Sequence, residues 1–473
     1  MTKRPSLAVS LPSALIQSLH SVKGFDEEAF NKIHQSGEQV TSIRLNPWKS
    51  FNVQGSIFND QLEKVQWSEQ GYYLKERPSF TRDPIFHGGG YYVQDASSMF
   101  LEEVFRQTVD MSNPLKVLDL CAAPGGKSTL IQTLLTDESL LVSNEVIKGR
   151  VNSLTENITK WGVSNVVVTN NDPLHFQRLG AFFDVIVVDA PCSGSGLFRK
   201  DSMAVNEWSE NNVQLCGQRQ QRILADILPA LKEGGILIYA TCSYSVEEDE
   251  AIVDWLMKDI LLETCQVDIG KYAGIVETSS GDSNGFGYRF FPDKIKGEGF
   301  FIAAFRRPLM EKNEEDSISS SLGGERSRKS LQTVSAKEIA ILKPWLKNAE
   351  KYIFMGLQEE IIAIPAFMEN ELKLLQSSLY IKKAGIKMGS VIRGLLIPDH
   401  ELALSTNISR EVPCLDLNIH DSLAYLRREE FKPVTELRGW ALVRYEQLPL
   451  GWIKIMPGRF NNYYPKNWRI LKK

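Results

Sequence analysis

Asp119-Leu-Cys-Ala-Ala-Pro-Gly-Gly-Lys127, followed by Ser128, joins an apolar run, Val117-Leu118, to a segment of helical character from Ser128 to Leu135. A glycine-rich turn between a strand and a helix lets backbone N–H groups approach a ligand closely, and a helix N-terminus favours negative charge. The stretch therefore outlines a cofactor cradle. The rival motif is the phosphate loop, G-x-x-x-x-G-K-[ST]: Gly126-Lys127-Ser128 fit it, but Cys121 stands where its first glycine belongs. A strand end carrying Ala122, Ala123 and Pro124 is a poor nest for a triphosphate.

Two acids further along separate these readings. Glu145 ends a second apolar run, Leu140-Leu-Val-Ser-Asn-Glu145, about 20 residues past the turn, where dinucleotide-type folds put the acid that binds ribose hydroxyls. Asp172 ends a third, Asn165-Val-Val-Val-Thr-Asn-Asn-Asp172. A nucleoside-binding sheet uses the first acid for ribose and can use the second for the adenine amine, although Asn-Asp-Pro is also a common turn after a strand. The reading is a nucleoside cofactor without a triphosphate.

Strand and helix patterns alternate across this region. Strands are expected near 116–120, up to Glu145, up to Asn170, at 184–189 and at 236–241. Helices are expected at 96–107, to about Thr136, at 148–161 closed by Gly162, at 213–231 closed by Gly234-Gly235, and at 246–257. Tyr288-Arg-Phe-Phe291 and 299–306 read as a closing strand pair. Such alternation implies an α/β fold with a mostly parallel, doubly wound, Rossmann-like sheet covered on both faces. Its ligands bind outside the carboxyl ends of the strands, where Asp119, Glu145, Asp172, Asp189 and Cys242 all fall.

The chain has 473 residues, net charge −4, 43% hydrophobic and 24% charged residues, so it is too long for one core and is no polycation. A nucleic-acid partner has to be argued from local patches. No apolar run suits a membrane span, and the start of the chain is broken by Ser10, Pro12 and Ser13, which speaks against a secretory leader. Six cysteines without C-x-x-C spacing argue against a disulfide scaffold and against zinc, and the histidines lack ligand spacing, so no metal is expected. A reducing cytoplasm follows. From Lys432 onward nine cations stand against two acids, interleaved with Trp440, Tyr445, Trp452, Phe460, Tyr463, Tyr464 and Trp468. That pattern can neutralise phosphates and stack on exposed bases, or the aromatics can be the core of a small β domain.

Asp189-Ala-Pro-Cys-Ser-Gly-Ser-Gly196 and Thr241-Cys242-Ser243, taken with the opening stretch, resemble the S-adenosylmethionine-dependent RNA (cytosine-5) methyltransferases of the Sun/Nop group, and within it the bacterial type that modifies 16S ribosomal RNA. The resemblance covers nearly the whole chain. It implies an N-terminal α/β RNA-binding domain (1–85), the methyltransferase domain (86–308), a linker (309–333), a connecting α/β region (334–395) and a PUA-like RNA-binding domain (396–473). It also implies S-adenosylmethionine as cofactor, 16S rRNA as partner in the small ribosomal subunit, and a monomer. Transfer RNA is the rival substrate. A nucleotide hydrolase with Asp189 on magnesium, and a ribosome-assembly factor without catalysis, are the rival functions.

Carbon 5 of cytosine is too weak a nucleophile to take a methyl group directly, and a thiolate added at carbon 6 activates it. By resemblance Cys242 is that nucleophile and Cys192 the second cysteine, which assists release of the adduct, while Asp189 holds the ring near N3 and N4 and lies near the cofactor. The backbone of Cys121, Ala122, Ala123, Pro124, Gly125, Gly126 and Lys127 surrounds the methionine moiety, with Glu145 on the ribose and Asp172 on the adenine. Lys127 can contact the cofactor carboxylate or be a plain helix-start lysine. Arg44, in the family's R-x-N element with Asn46, is expected to face RNA, with a surface strand charge as the alternative. Lys200 is expected on an RNA phosphate, with a solvated loop charge as the alternative; Lys454, Lys466 and Arg469 belong to the PUA-like tail. Asp249 departs from the family pattern, which often has asparagine there.

Overall fold

In the computed structural model, residues 10–51, 62–309, 332–357, 360–432 and 434–471 are described; most of the expected linker and the terminal Lys472 and Lys473 lie outside them. The core is a ten-stranded sheet whose middle consists of five parallel strands in spatial order 231–241, 183–189, 116–119, 140–144, 166–169. The chain starts in the centre and winds outward in both directions, so the topological switch point lies between 116–119 and 183–189. Alternate residues of each strand face opposite layers. Val117, Leu141, Val166 and Val187 pack with helices 101–108, 126–134 and 148–161. Leu118, Val142, Val167 and Ile186 pack with helices 210–227, 250–258 and 369–378. Burial on both faces is why these strands read as continuous apolar runs.

The expected closing pair is present: 286–290 lies antiparallel to 300–306, which pairs in turn with 231–241. The helices expected at 96–107 and 246–257 open with 3-10 turns, 97–100 and 246–248, and run as regular helix over 101–108 and 250–258. Helix 210–227 stops short of its expected end, and there proline is the reason. Pro229 lacks an N–H and ends regular helix at Ile227, so the next strand begins at Leu231 and Gly234 lies inside it. Pro344 likewise ends the regular helix Ala336–Leu342, and helix 148–161 is closed by Gly162 at φ +87°, as expected.

The sheets cross the expected domain boundaries. Tyr91–Val93, placed by sequence in the methyltransferase domain, hydrogen-bonds to Thr41–Leu45 in the N-terminal four-stranded sheet. Ile381–Ala384, from the connecting region, adds an antiparallel strand to 166–169, and the preceding helix 369–378 covers the sheet next to it. Leu395–Pro398, which straddles the expected boundary between the connecting region and the PUA-like domain, belongs wholly to the five-stranded sheet of the connecting region. The C-terminal sheet comprises 414–416, 439–445, 448–456 and 459–462. Trp452 Nε1 donates to Asp399 O at 2.7 Å, and Thr406 N donates to Gly162 O at 3.0 Å, so the later units are tied to each other and to the core.

Candidate active site

The turn after strand 116–119 is held from behind. Gly125 takes φ +112°, which only glycine adopts without strain, and leads into helix 126–134. Arg150 Nη2 donates to Ala123 O at 2.5 Å and Asn157 Nδ2 to Pro124 O at 2.9 Å. Asp119, fully buried, accepts from Ser128 Oγ at 2.6 Å through one oxygen. Its other oxygen, and Oε2 of the buried Glu145, have no hydrogen-bond partner among the described residues, although Arg150 Nη1 lies 3.4 Å from the latter. Two buried carboxylate acceptors facing a backbone cradle suit a ligand that brings donors, such as the ammonium and ribose hydroxyls of a nucleoside amino acid. Burial, foremost, pushes the Asp119 carboxyl up to about 7. Burial and the neighbouring carboxylates raise the Cys121 thiol, which keeps that residue a small packing group.

Lys127 is no plain helix-start lysine. Its Nζ lies 2.8 Å from Asp189 Oδ2 across the switch point, and although burial works against its charge, Asp189 raises its pKa above the ordinary lysine value. Asp172 caps the turn 173–179 by accepting from Leu174 N at 3.1 Å, which is the turn role the sequence allows. Around Glu145 and Asp172 the side chains of Val146, Ile147 and Leu174 are about half exposed, an apolar surface for a flat ring that sequence reading missed.

Beside this cradle the two motif cysteines meet. Cys192 follows strand 183–189, Cys242 follows strand 231–241, and their Sγ atoms are 2.9 Å apart. The hydrogen bond to Cys242, and then burial, hold the Cys192 thiol well above its ordinary range. The loops pack closely: Gly196 N donates to Cys242 O at 2.8 Å, and a Cβ on Gly196 would meet that oxygen at 2.7 Å. Asp249, the departure from the family pattern, accepts from Thr241 Oγ1 at 2.7 Å and lies 3.0 Å from buried Arg289, which also grips Glu250. A carboxylate is accommodated there because a cation is supplied from strand 286–290.

Comparison with known proteins now decides the family. The description 16S rRNA methyltransferase RsmB/F matches residues 107–306, the N-terminal domain of 16S rRNA methyltransferase RsmF matches 11–96, and the methyltransferase RsmF PUA domain matches 412–470. This chain belongs to the RsmB/F family. Proteins called ribosomal RNA small subunit methyltransferase F are similar along most of their length. That of Aeromonas salmonicida (strain A449) is 28% identical over 90% of both chains, and that of Serratia proteamaculans (strain 568) is 27% identical over 97% of this chain and 96% of the other. That of Pectobacterium atrosepticum reaches 33% over 56% of each. Among solved structures, PH0851 (TM-score 0.54, 23% identity, 63% of this chain and 66% of that one) shares the fold. So does NSun6 from Pyrococcus horikoshii with SFG (TM-score 0.51, 19%, 63% and 99%).

One expected RNA contact of this RsmB/F chain is overturned. Arg44 is fully buried: it donates to Gln94 Oε1 at 2.9 Å, to Thr129 O at 3.2 Å and Thr129 Oγ1 at 2.5 Å, to Gly126 O at 3.3 Å, and stacks on Trp161 at 4.5 Å. Asn46 donates to Gly89 O at 2.9 Å and Trp161 O at 3.0 Å, and Lys49 Nζ donates to Gly88 O at 2.8 Å and Lys160 O at 2.5 Å. The R-x-N element thus fastens the N-terminal unit to the helix that starts at the cofactor turn and to the end of helix 148–161. Lys200 pairs with Asp95 at 3.1 Å on the surface. Lys454 lies 5.4 Å over Trp440, and Lys466 and Arg469 are exposed. Of the tail aromatics, Trp452 and Tyr464 are fully buried core, whereas Tyr463 is 39% exposed. A groove of about 850 Å³ beside them is lined by Arg428, Lys432, Arg438, Arg459 and Phe460; of these only Arg428 lies outside the basic and aromatic pattern read from the sequence.

Proposed function

We propose that this RsmB/F chain transfers a methyl group from S-adenosylmethionine to carbon 5 of a cytosine in 16S ribosomal RNA, through a covalent adduct on Cys242. The observation that carries this reading is the pair of thiols 2.9 Å apart, at strand ends next to a cradle with two unpartnered buried carboxylate oxygens. The Cys242 thiolate adds to carbon 6, and the electron pair of the 5,6 double bond becomes available at carbon 5. S-adenosylmethionine supplies the methyl group as an electrophile on sulfur. Asp189, with Lys127 beside it, holds the cytosine edge at N3 and N4 and offsets the charge that develops there. A base then takes the carbon-5 proton, the carbon–hydrogen pair re-forms the double bond, and the carbon–sulfur pair returns to Cys242 with Cys192 alongside to assist its release. Backbone 121–127 would hold the methionine part of the cofactor, Asp119 its ammonium, Glu145 its ribose, and Asp172 with Val146 and Leu174 its adenine.

The base has to leave its stack to reach these thiols, so an unpaired or flipped cytosine is the expected target. Lys200, Lys454, Lys466 and Arg469 are the phosphate contacts this reading retains. It places the protein in the cytoplasm, acting on the small ribosomal subunit. The test is methyl transfer from labelled S-adenosylmethionine to purified small-subunit RNA, assembled small subunits and free transfer RNA, each digested and analysed for 5-methylcytosine. Label in either ribosomal substrate supports the proposal. Label confined to transfer RNA keeps the chemistry and replaces the substrate, and label in none of the three overturns the reading.

A further inference from the structure

Glu248 is a fully buried carboxylate, and among the described residues no lysine or arginine pairs with it. Burying an unpaired charge is costly unless several donors surround it. Here the donors come from the two cysteine loops and from helix 210–227. Ser193 N and Ser193 Oγ donate at 2.8 and 2.5 Å, Ser243 Oγ donates at 2.7 Å, and Gln220 Nε2, which also donates to Pro191 O at 3.1 Å, completes the set at 3.1 Å. Tyr239 Oη, at 2.6 Å from Glu248 O, fixes the backbone of the same residue. Ser193 directly follows Cys192 and Ser243 directly follows Cys242.

We propose that Glu248 is a positioning residue whose carboxylate bridges the two cysteine loops and sets the Cys192–Cys242 separation on which adduct release depends. The inference rests on the covalent reading above. One carboxylate oxygen accepts from both serine hydroxyls and the other from Ser193 N and Gln220 Nε2. A glutamine there turns N–H groups toward Ser193 Oγ and Ser243 Oγ, so both hydroxyls must reverse to accept and their own buried protons lose Glu248 as acceptor. Burial, foremost, raises the Glu248 carboxyl, and the serine hydrogen bonds pull it back toward the charged form. Cys242 can still attack when the bridge is loosened, because its strand is held by the sheet. Cys192, on a loop, loses its place.

The discriminating experiment measures, for wild type, Glu248→Gln, Cys192→Ala and Cys242→Ala, the fraction of chain trapped on labelled small-subunit RNA under denaturing electrophoresis, with kcat and S-adenosylmethionine affinity. Glu248→Gln is expected to bind the cofactor within about twofold of wild type and to lose up to about 100-fold in kcat, as a misplacement near 1 Å can cost. Its trapped adduct should rise toward the Cys192→Ala level. A merely structural role would lower cofactor binding, turnover and adduct together, and that pattern overturns the proposal; so does Glu248→Gln turning over like wild type while Cys192→Ala traps adduct. If Cys192→Ala traps none, the covalent reading itself has failed. Should Glu248→Gln not fold, Ser193→Ala combined with Ser243→Ala, which keeps the buried carboxylate and removes the hydroxyl bridges, must raise the adduct or the assignment falls.

Discussion

Charged residues occupy opposite environments at the two ends of this molecule. At the carboxyl edge of the central sheet Arg44, Lys127, Asp119, Glu248 and Arg289 are buried or nearly so, each held by named side-chain or backbone partners. In the C-terminal domain Lys466, Arg469 and Arg459 stand exposed. The difference fits the proposed task. Reacting atoms need fixed geometry, which burial and paired hydrogen bonds provide. A polyanionic backbone is met by cations that keep their reach and lose counterions on contact. Residue type alone does not distinguish the two, as the buried Arg44 demonstrates.

Two substitutions on the buried side test this contrast most severely. Cys242→Ala should remove methyl transfer by roughly 10⁴-fold or more, as loss of a nucleophile does, with cofactor affinity unchanged by calorimetry; retained turnover would move the nucleophile elsewhere. Arg44→Ala should leave the salt dependence of RNA binding as it was. It should destabilise the chain by about 2–4 kcal/mol in denaturant unfolding, because it strips a buried network of its donor. If instead RNA binding weakens while stability holds, the buried region reads RNA and the contrast collapses.

Much of the candidate site was legible because its residues sit at strand ends in an alternating pattern, and local periodicity locates strand ends. Asp119, Glu145, Asp172, Asp189 and both motif cysteines were named as candidates that way or through their flanking motifs. What escaped depends on contacts between distant parts of the chain. Glu248 lies in the acidic run Glu247-Glu-Asp-Glu250, which reads as an ordinary helix start, and its meaning comes from Ser193 and Gln220. Arg44 looks like a strand charge until the helix at Gly126 is laid against it. The strand 381–384 joins 166–169 across more than two hundred residues, so no local pattern could assign it to the core sheet.

Asp119 sharpens the contrast through pH. Burial raises its carboxyl from its ordinary 3.8 to about 7, so between these values the folded chain holds a proton that the unfolded chain has released. Stability without cofactor should therefore fall as pH rises through that window and level off above it. A cationic ammonium beside Asp119 favours the ionised form, so S-adenosylmethionine affinity should climb about tenfold from pH 6 to 8. Calorimetry at several pH values checks this, and Asp119→Asn should flatten both dependences. An affinity independent of pH in the wild type would mean that the cofactor does not engage Asp119.

The exposed end predicts the smallest effect and the most specific signature. Lys466 and Arg469 flank Trp468 on a short turn, with the groove of Arg428, Arg438 and Arg459 nearby. Each cation that neutralises a phosphate contributes about one unit to the slope of log affinity against log salt. Lys466→Ala and Arg469→Ala should each weaken RNA binding only severalfold at moderate salt and make that slope shallower by about one, leaving thermal stability and the single-turnover rate at saturating RNA unchanged. Adding Arg459→Ala should flatten it further if the groove is part of the same path, and should add nothing if the path runs past Lys454 without entering the groove. The slope separates those routes because it counts phosphates contacted, whereas affinity at one salt concentration would confuse a lost contact with a weakened one.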